Sequence, residues 1–320
     1  MTVSRVLRGR KGLVADETFE RVMGAVRELG YVPVASPRQN RHVQTCSIGV
    51  VPFHSNVANN PIDAQTFEGL CAQARQHSYD LLVMLRDDSD WMSRAAARFL
   101  DRRSDGFIFI SPDVHGWSDI LEELVCHDIP AVICYRRDVP DGVAWVDPDN
   151  ETIAALAVRH LHEHGHRRLA YVSGPNELAA FDDLARQTAF RRETDRLGLD
   201  ALVIEGATPS YRLRNDVLPR LCDENVSGVV CVNDFLALQL WEAATQAGLC
   251  VPRDFSLMGV DDQDTRHFGL TSVGFGYNQI GRLAVEAWVA LQSGQDAATC
   301  SRVVPVQLIE RASVGAPRSR

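Results

Sequence analysis

Polar side chains that could hold a ligand recur directly after apolar runs. Asn59-Asn60-Pro61-Ile62-Asp63 follows the run 48–53, and Ser173-Gly174-Pro175 follows 169–172, with Arg186 further on. Asn233-Asp234 closes the run 228–232, and Asp261-Asp262 closes 255–260. An amide or carboxyl at such a place can hydrogen-bond ligand hydroxyls. A guanidinium can fork onto a carboxylate, a phosphate or a vicinal hydroxyl pair. The same Asn and Asp residues also suit helix N-caps, so both roles stay open at each position.

Other chemistries find less support. The histidines at 160, 162, 164 and 166 include an i, i+4 pair, His160 and His164, which is the helical spacing of zinc ligands. Only Glu163 stands beside them, and Gly165 reads as a helix stop, so a surface or core role is expected and no metal site. Gly274-x-Gly276 with Gly281 does not complete a dinucleotide fingerprint, and no phosphate-cradling Gly-x-x-x-x-Gly-Lys-Ser/Thr loop or Gly-x-Ser-x-Gly elbow occurs. Asp87-Asp88-Ser89-Asp90 lacks the spacing of a calcium loop and reads as a solvated turn. With no nucleophile–base pair, the chain is expected not to be an enzyme and to need no cofactor. Its eight cysteines are scattered without a Cys-x-x-Cys pair, and several lie in apolar runs, as Cys134 and Cys231 do. They read as reduced, buried, small hydrophobes.

The elements that must position these side chains alternate. Strand-length apolar runs fall at 48–53, 81–85, 106–110, 131–134, 169–172, 201–204, 228–232, 255–260 and 303–309. Between them, Phe67, Leu70, Cys71 and Ala74 share one helical face, as do Ile153, Leu156, Ala157 and Leu161. Strands that are apolar throughout belong to parallel sheets covered on both faces. A chain of 320 residues is long for one core and suits two. The predicted fold class is therefore α/β, with two lobes. No apolar run approaches the roughly 18 residues that span a bilayer, and the first residues lack the pattern of a signal peptide. A cytoplasmic protein without membrane contact is expected.

The first 45 residues differ in kind. They carry eight Lys/Arg against four acids, whereas the remainder carries 25 against 38. A basic head on an acidic body points the head at a polyanion. A helix is predicted from Glu17 to about Leu29, capped by Asp16, stopped by Gly30, with Phe19, Val22, Met23 and Val26 on one face. Residues 33–45, with Pro33 and Pro37, read as a linker.

Several runs, in this order and spacing, resemble the LacI/GalR family of bacterial transcription regulators. Thr2-Val3-Ser4-Arg5-Val6-Leu7, Glu17-Thr18 and Glu28-Leu29-Gly30-Tyr31-Val32-Pro33 are similar to the second and third helices of that family's DNA-binding head. Ile48-Gly49-Val50-Val51-Pro52, Arg102-Arg103-Ser104-Asp105-Gly106-Phe107-Ile108, His160-Leu161 with Gly165-His166-Arg167-Arg168-Leu169-Ala170, Asn233-Asp234, Val251-Pro252 and Gly259-Val260-Asp261-Asp262 resemble its core. The resemblance implies a helix-turn-helix head over 1–33, a hinge over 34–45, and a two-lobed core like periplasmic binding proteins, built of two parallel sheets flanked by helices. The expected lobes are 46–147 plus 276–300 and 148–275 plus 301–320, with crossings near 147, 275 and 300.

The resemblance also implies partners and roles. These are operator DNA, a homodimer whose paired heads read two half-sites, and a small effector, a sugar or related metabolite, whose binding between the lobes shifts DNA affinity. Thr2, Ser4 and Arg5 would lie in the major groove, and Arg38 stands at the arginine of the family's Ala-Arg-x-Leu hinge run. Ile62, Asp63, Arg186, Thr208, Asn233 and Asp261 would line the effector cleft, with Tyr211 able to take the place of an aromatic near Thr208. Two departures bear on function. The chain opens at the recognition helix, without the helix that precedes it in the family, and Asn40 stands where relatives carry a wedging leucine. Weak operator bending is expected, and a ligand-binding protein without competent DNA binding is the alternative.

Overall fold

The structure is a computed structural model that describes residues 6, 14–28, 44–52, 61–85, 98–110, 117–175, 181–208, 210–263 and 268–318. Thr2, Ser4, Arg5, Arg38 and the hinge lie outside the described residues. Of the head, helix α1 (Asp16–Glu28) matches the predicted amphipathic segment, and Val6 is buried. The amides of Thr18 and Phe19 donate to the Ala15 carbonyl as the helix begins.

The core holds two six-stranded sheets. The first contains β1 (Ser47–Val51), β2 (Asp80–Val83), β3 (Phe107–Ile110), β4 (Ala131–Cys134), β5 (Ala144–Pro148) and β11 (Arg302–Val304), in the order β2-β1-β3-β4-β5-β11, all parallel. The second contains β6 (Arg168–Ser173), β7 (Asp200–Glu205), β8 (Gly228–Cys231), β9 (Ser256–Val260), β10 (Thr271–Gly274) and β12 (Gln307–Ile309). Its order is β7-β6-β8-β9-β10-β12, parallel except for β12, which runs antiparallel to β10 at the edge. The two sheets therefore repeat one topology, with a switch point between β1 and β3 and another between β6 and β8. In such sheets the crevice beyond the carboxyl ends of the strands is where ligands sit.

Burial explains why the strands pair this way. Every residue of β3, β4, β8, β9 and β10 is buried, which only a sheet with two covered faces provides. In β3, Phe107 and Phe109 pack with Phe99, Trp117 and Leu121 on one face, while Ile108 and Ile110 join Leu70, Ile280 and Trp288 on the other. The covering helices of this lobe are α2 (Pro61–Gln76), α3 (Trp117–Cys126) and, after the chain has returned from the second lobe, α8 (Tyr277–Gln292) with the short α9 (Ala297–Cys300). The second lobe has α4 (Asn150–Glu163), α5 (Phe181–Leu197), α6 (Val217–Asp223) and α7 (Asp234–Gln246). Helices α2 and α8 meet backbone to backbone. A Cβ on Gly69 would come within 1.9 Å of the Asn278 carbonyl oxygen, and one on Gly281 within 2.1 Å of the Thr66 carbonyl oxygen.

Three differences from the sequence expectations have physical reasons. Strands β5 and β10 are additions, because Ala-Trp-Val-Asp-Pro ends in turn residues and Thr-Ser-Val-Gly is small and polar. The run 303–309 is two strands, one in each sheet, split at Pro305. The third crossing consequently falls between Val304 and Gln307 rather than near 300, and the first follows Pro148. Of the cysteines, Cys134, Cys231 and Cys300 are buried, but Cys46, Cys126, Cys222 and Cys250 are exposed near element ends, and all eight are free.

His166 is a core residue. Its ring meets Ser227 Oγ at 3.0 Å, Ser256 Oγ at 2.9 Å and the Gly315 carbonyl at 3.0 Å, and burial pushes its pKa down to about 4. The His160 and His164 rings stack 4.4 Å apart on the last turns of α4, and His164 Nδ1 lies 2.8 Å from the His160 carbonyl. Among the described residues no cluster of metal-binding side chains occurs, and no helix is long and apolar enough to cross a membrane.

Candidate functional site

At the carboxyl ends of the second sheet, Arg186 projects from α5 and is 2 % exposed. Its Nε donates to Asn150 Oδ1 at 2.9 Å, one Nη donates to the Val232 carbonyl at 2.8 Å, and the same nitrogen lies 3.4 Å from the Asp182 carboxylate. Asn150, first residue of α4, donates in turn to Asp147 on β5, whose carboxylate accepts from Arg137 Nε at 2.7 Å. Arg137 also donates to the Pro148 carbonyl and lies over the Trp145 ring. Burial pushes Asp147 up to about 6 against the pull of Arg137.

Asp261, immediately after β9, is 8 % exposed. Burial pushes its carboxyl up to about 8, opposed chiefly by the Arg186 charge. The Tyr277 hydroxyl, from the start of α8, hydrogen-bonds this carboxyl. The loop behind it is held by buried Asp234, which accepts from the Gln263 amide at 2.8 Å and from Ser272 Oγ at 2.8 Å. Burial raises Asp234 to about 7. Asp262 is fixed by Arg311 at 2.6 Å.

Asn233 combines the two roles left open by its sequence. Its Oδ1 accepts from the Leu236 amide at 2.9 Å as the N-cap of α7, while its Nδ2 donates to the Tyr211 hydroxyl at 3.2 Å. Thr208 does not share that place. Its hydroxyl pairs with Ser210 Oγ at 3.0 Å and accepts the Arg212 amide, so it braces its own loop. The nearby Tyr211 ring lies by Phe235, at 6.3 Å, and its hydroxyl is close to Gly174. Gly174 is itself anchored by its amide to the Asp183 carboxylate, which also accepts from the Tyr171 hydroxyl.

The first sheet offers a less charged wall. Tyr135, immediately after β4, places its hydroxyl 2.5 Å from Thr66 Oγ1 on α2, and its ring lies 6.0 Å from that of Tyr277. Asp63, in the first turn of α2, is buried and close enough to raise the Tyr135 phenol, as is Asp261 from the opposite lobe. Ile62 packs against the core of the first lobe. Gln65 reaches Gln263 across the cleft at 3.4 Å. Backbone strain gathers here. Tyr135 (φ 67°), Tyr211 (φ 58°) and Asp261 (φ 105°) all have left-handed backbones without being glycine. Such residues persist where the surroundings over-determine them, typically at ligand clamps.

Arg186, Asn233 and Asp261 thus share one end of the second sheet, with Asp63 on the facing wall. Sequence reasoning misses Tyr135, Asn150 and Tyr277, and reaches Tyr211 only as a substitute. A turn signal, Asp147-Pro148-Asp149-Asn150 before a helical pattern, is the clue to Asn150.

Comparisons with known proteins place this geometry. A family profile described as bacterial regulatory proteins, lacI family, matches residues 1–34, and one described as a periplasmic binding protein-like domain matches 158–314. The HTH-type transcriptional repressor CytR of Escherichia coli is 26% identical over 333 residues, covering 98% of this chain and 92% of the relative. Among solved structures, a transcriptional regulator CelR–cellobiose complex superposes with a TM-score of 0.72 at 22% identity, over 98% of this chain and 95% of that one. The lac repressor dimer bound to operator and an anti-inducer gives a TM-score of 0.72 at 23% identity, over 98% and 94%. The head profile, the doubled sheet topology and full-length similarity to repressors agree: the chain belongs to the lacI family of bacterial regulatory proteins.

Proposed function

We propose that this chain is a cytoplasmic, non-enzymatic repressor, dimeric on its operator, whose DNA affinity is set by an uncharged polyhydroxylated effector, a sugar or related metabolite, held between the lobes. Residues 1–33 form the DNA-binding head, with Thr2, Ser4 and Arg5 against the major groove, and 34–45 form the hinge, with Arg38 at the DNA. The observation that carries the effector reading is the buried Arg186 beside Asp261, facing the phenols of Tyr135 and Tyr277 at the carboxyl ends of both sheets. A guanidinium fork with a carboxyl that can give or take a proton suits a ring of hydroxyls. The structural relatives supply the precedent, one holding cellobiose and one sitting as a dimer on operator.

The test is a thermal-shift screen of neutral sugars, beginning with ribose and cellobiose, beside sugar acids and sugar phosphates. A bound sugar at about 100 times its Kd stabilises by roughly 2.7 kcal/mol. The expected outcome is a shift with one or more neutral sugars that Arg186→Ala and Asp261→Ala both abolish. No shift with any sugar, or a shift both variants leave intact, rejects the reading.

A further inference from the structure

The two lobes repeat one topology, so the helix after the fifth strand of each sheet can be compared directly. These are α4 after β5 and α8 after β10, and each begins as the chain passes from one sheet to the other. The first residue of α4 is Asn150, and the first residue of α8 is Tyr277. Both are buried, at 2 % and 3 % exposure. Asn150 holds Arg186 through its Oδ1, and Tyr277 holds Asp261 through its hydroxyl. Arg186 and Asp261 are the oppositely charged pair of the cleft, each within electrostatic reach of the other.

An unbroken polar line therefore runs from one crossing to the other. It starts at Arg137 and Asp147 on the first sheet, passes through Asn150 to Arg186, faces Asp261, and ends at Tyr277 on α8. Beyond Tyr277 the line continues into the first lobe through the Tyr135 ring and its bond to Thr66. Any movement of one lobe against the other must turn the backbone at the crossings. A ligand that displaces Arg186 or Asp261 acts at the same time on the residue that opens each crossing helix.

We propose that Asn150 and Tyr277 are positioning residues that tie the two lobe crossings into one unit through Arg186 and Asp261, so that the cleft and the lobe angle change together. The inference takes its purpose from the effector reading, yet its mechanical content needs no effector, so the two can fail separately.

The experiment is hydrogen–deuterium exchange on the ligand-free, full-length protein, comparing wild type with Asn150→Ala, Tyr277→Phe and the double variant. Each single variant is expected to speed exchange by about fivefold at its own crossing and also at the opposite one, 274–280 for Asn150→Ala and 147–152 for Tyr277→Phe. The double variant is expected to add little to either single. Should Asn150→Ala not fold, Tyr277→Phe, which removes one oxygen, decides the matter through its effect on 147–152. Changes confined to the substituted crossing, or strictly additive changes in the double variant, overturn the proposal.

Discussion

Tyr135 and Asp261 occupy equivalent places, each the first residue after the fourth strand of its sheet, and both have left-handed backbones. Their surroundings make them different. Tyr135 faces Thr66 on a neighbouring helix and presents a neutral phenol held by a neutral hydroxyl. Asp261 faces Arg186, which is itself held by Asn150, Val232 and Asp182. One topology thus builds a charged, heavily bonded wall in the second lobe and a lightly bonded phenolic wall in the first. The strained backbone is what the two share, and the helix that packs opposite decides the chemistry. The second-lobe wall is therefore preorganised, while the first-lobe wall can shift at small cost.

That contrast puts the largest effect at Arg186. Removing its guanidinium leaves the Asn150 and Val232 oxygens without a donor and Asp182 without its buried cation. Arg186→Ala is expected to cost about 3–5 kcal/mol, read in urea unfolding. Arg186→Lys should recover only part of it, since a single ammonium cannot reproduce the fork onto Asn150 and Val232. A cost under about 1 kcal/mol for Arg186→Ala would show the second-lobe wall to be no better bonded than the first.

The same contrast explains which residues are legible in the sequence. Asn233 and Asp261 close long apolar runs, and Arg186 lies on the helix after another, so the strand-end rule reaches all three. Nearly every strand with a β-branched or aromatic run is found in the same way, β3 and β8 among them. Strands β5 and β10 carry no such run, because neighbouring strands and helices supply their burial. Asn150 and Tyr277 follow those two strands, so they stay hidden with them. Tyr135 reads as the start of a basic loop, Arg136-Arg137, and only the pairing of β4 with β3 and β5 puts it at a sheet end. Thr208 is a near miss of the opposite kind, close to the site in sequence but turned into its own loop.

A pH profile separates the walls next. Burial holds the Asp261 carboxyl at about 8 in the folded protein, above its ordinary value near 4, so the folded state keeps a proton that the unfolded chain releases. Stability in the ligand-free protein must then fall as pH rises from about 4 to about 8. Asp234, at about 7, and Asp147, at about 6, act in the same direction over lower windows. Asp261→Asn cannot titrate, so its melting temperature should decline less than wild type over the upper part of that range, where Asp234 and Asp147 have already lost their protons. Curves that remain parallel throughout would mean the carboxyl is ionised at neutral pH and the wall carries its charge openly.

The smallest effect is expected at the partner position. Tyr135→Phe removes one hydroxyl, leaves the ring packed by Tyr277, and takes away the 2.5 Å partner of Thr66 Oγ1. A single neutral hydrogen bond contributes about 1 kcal/mol, and Thr66 is left buried without it. Tyr135→Phe should therefore lower stability by about 1 kcal/mol, with no change in the slope of melting temperature against pH near neutrality, because no charge is involved. Thr66→Val deletes the other half of the pair, and the double variant should cost less than the two singles together, as expected for residues in direct contact. A loss at Tyr135 as large as the one at Arg186 would instead place a rigid, fully committed wall on both sides of the cleft, and closure would then have to come from the crossings alone.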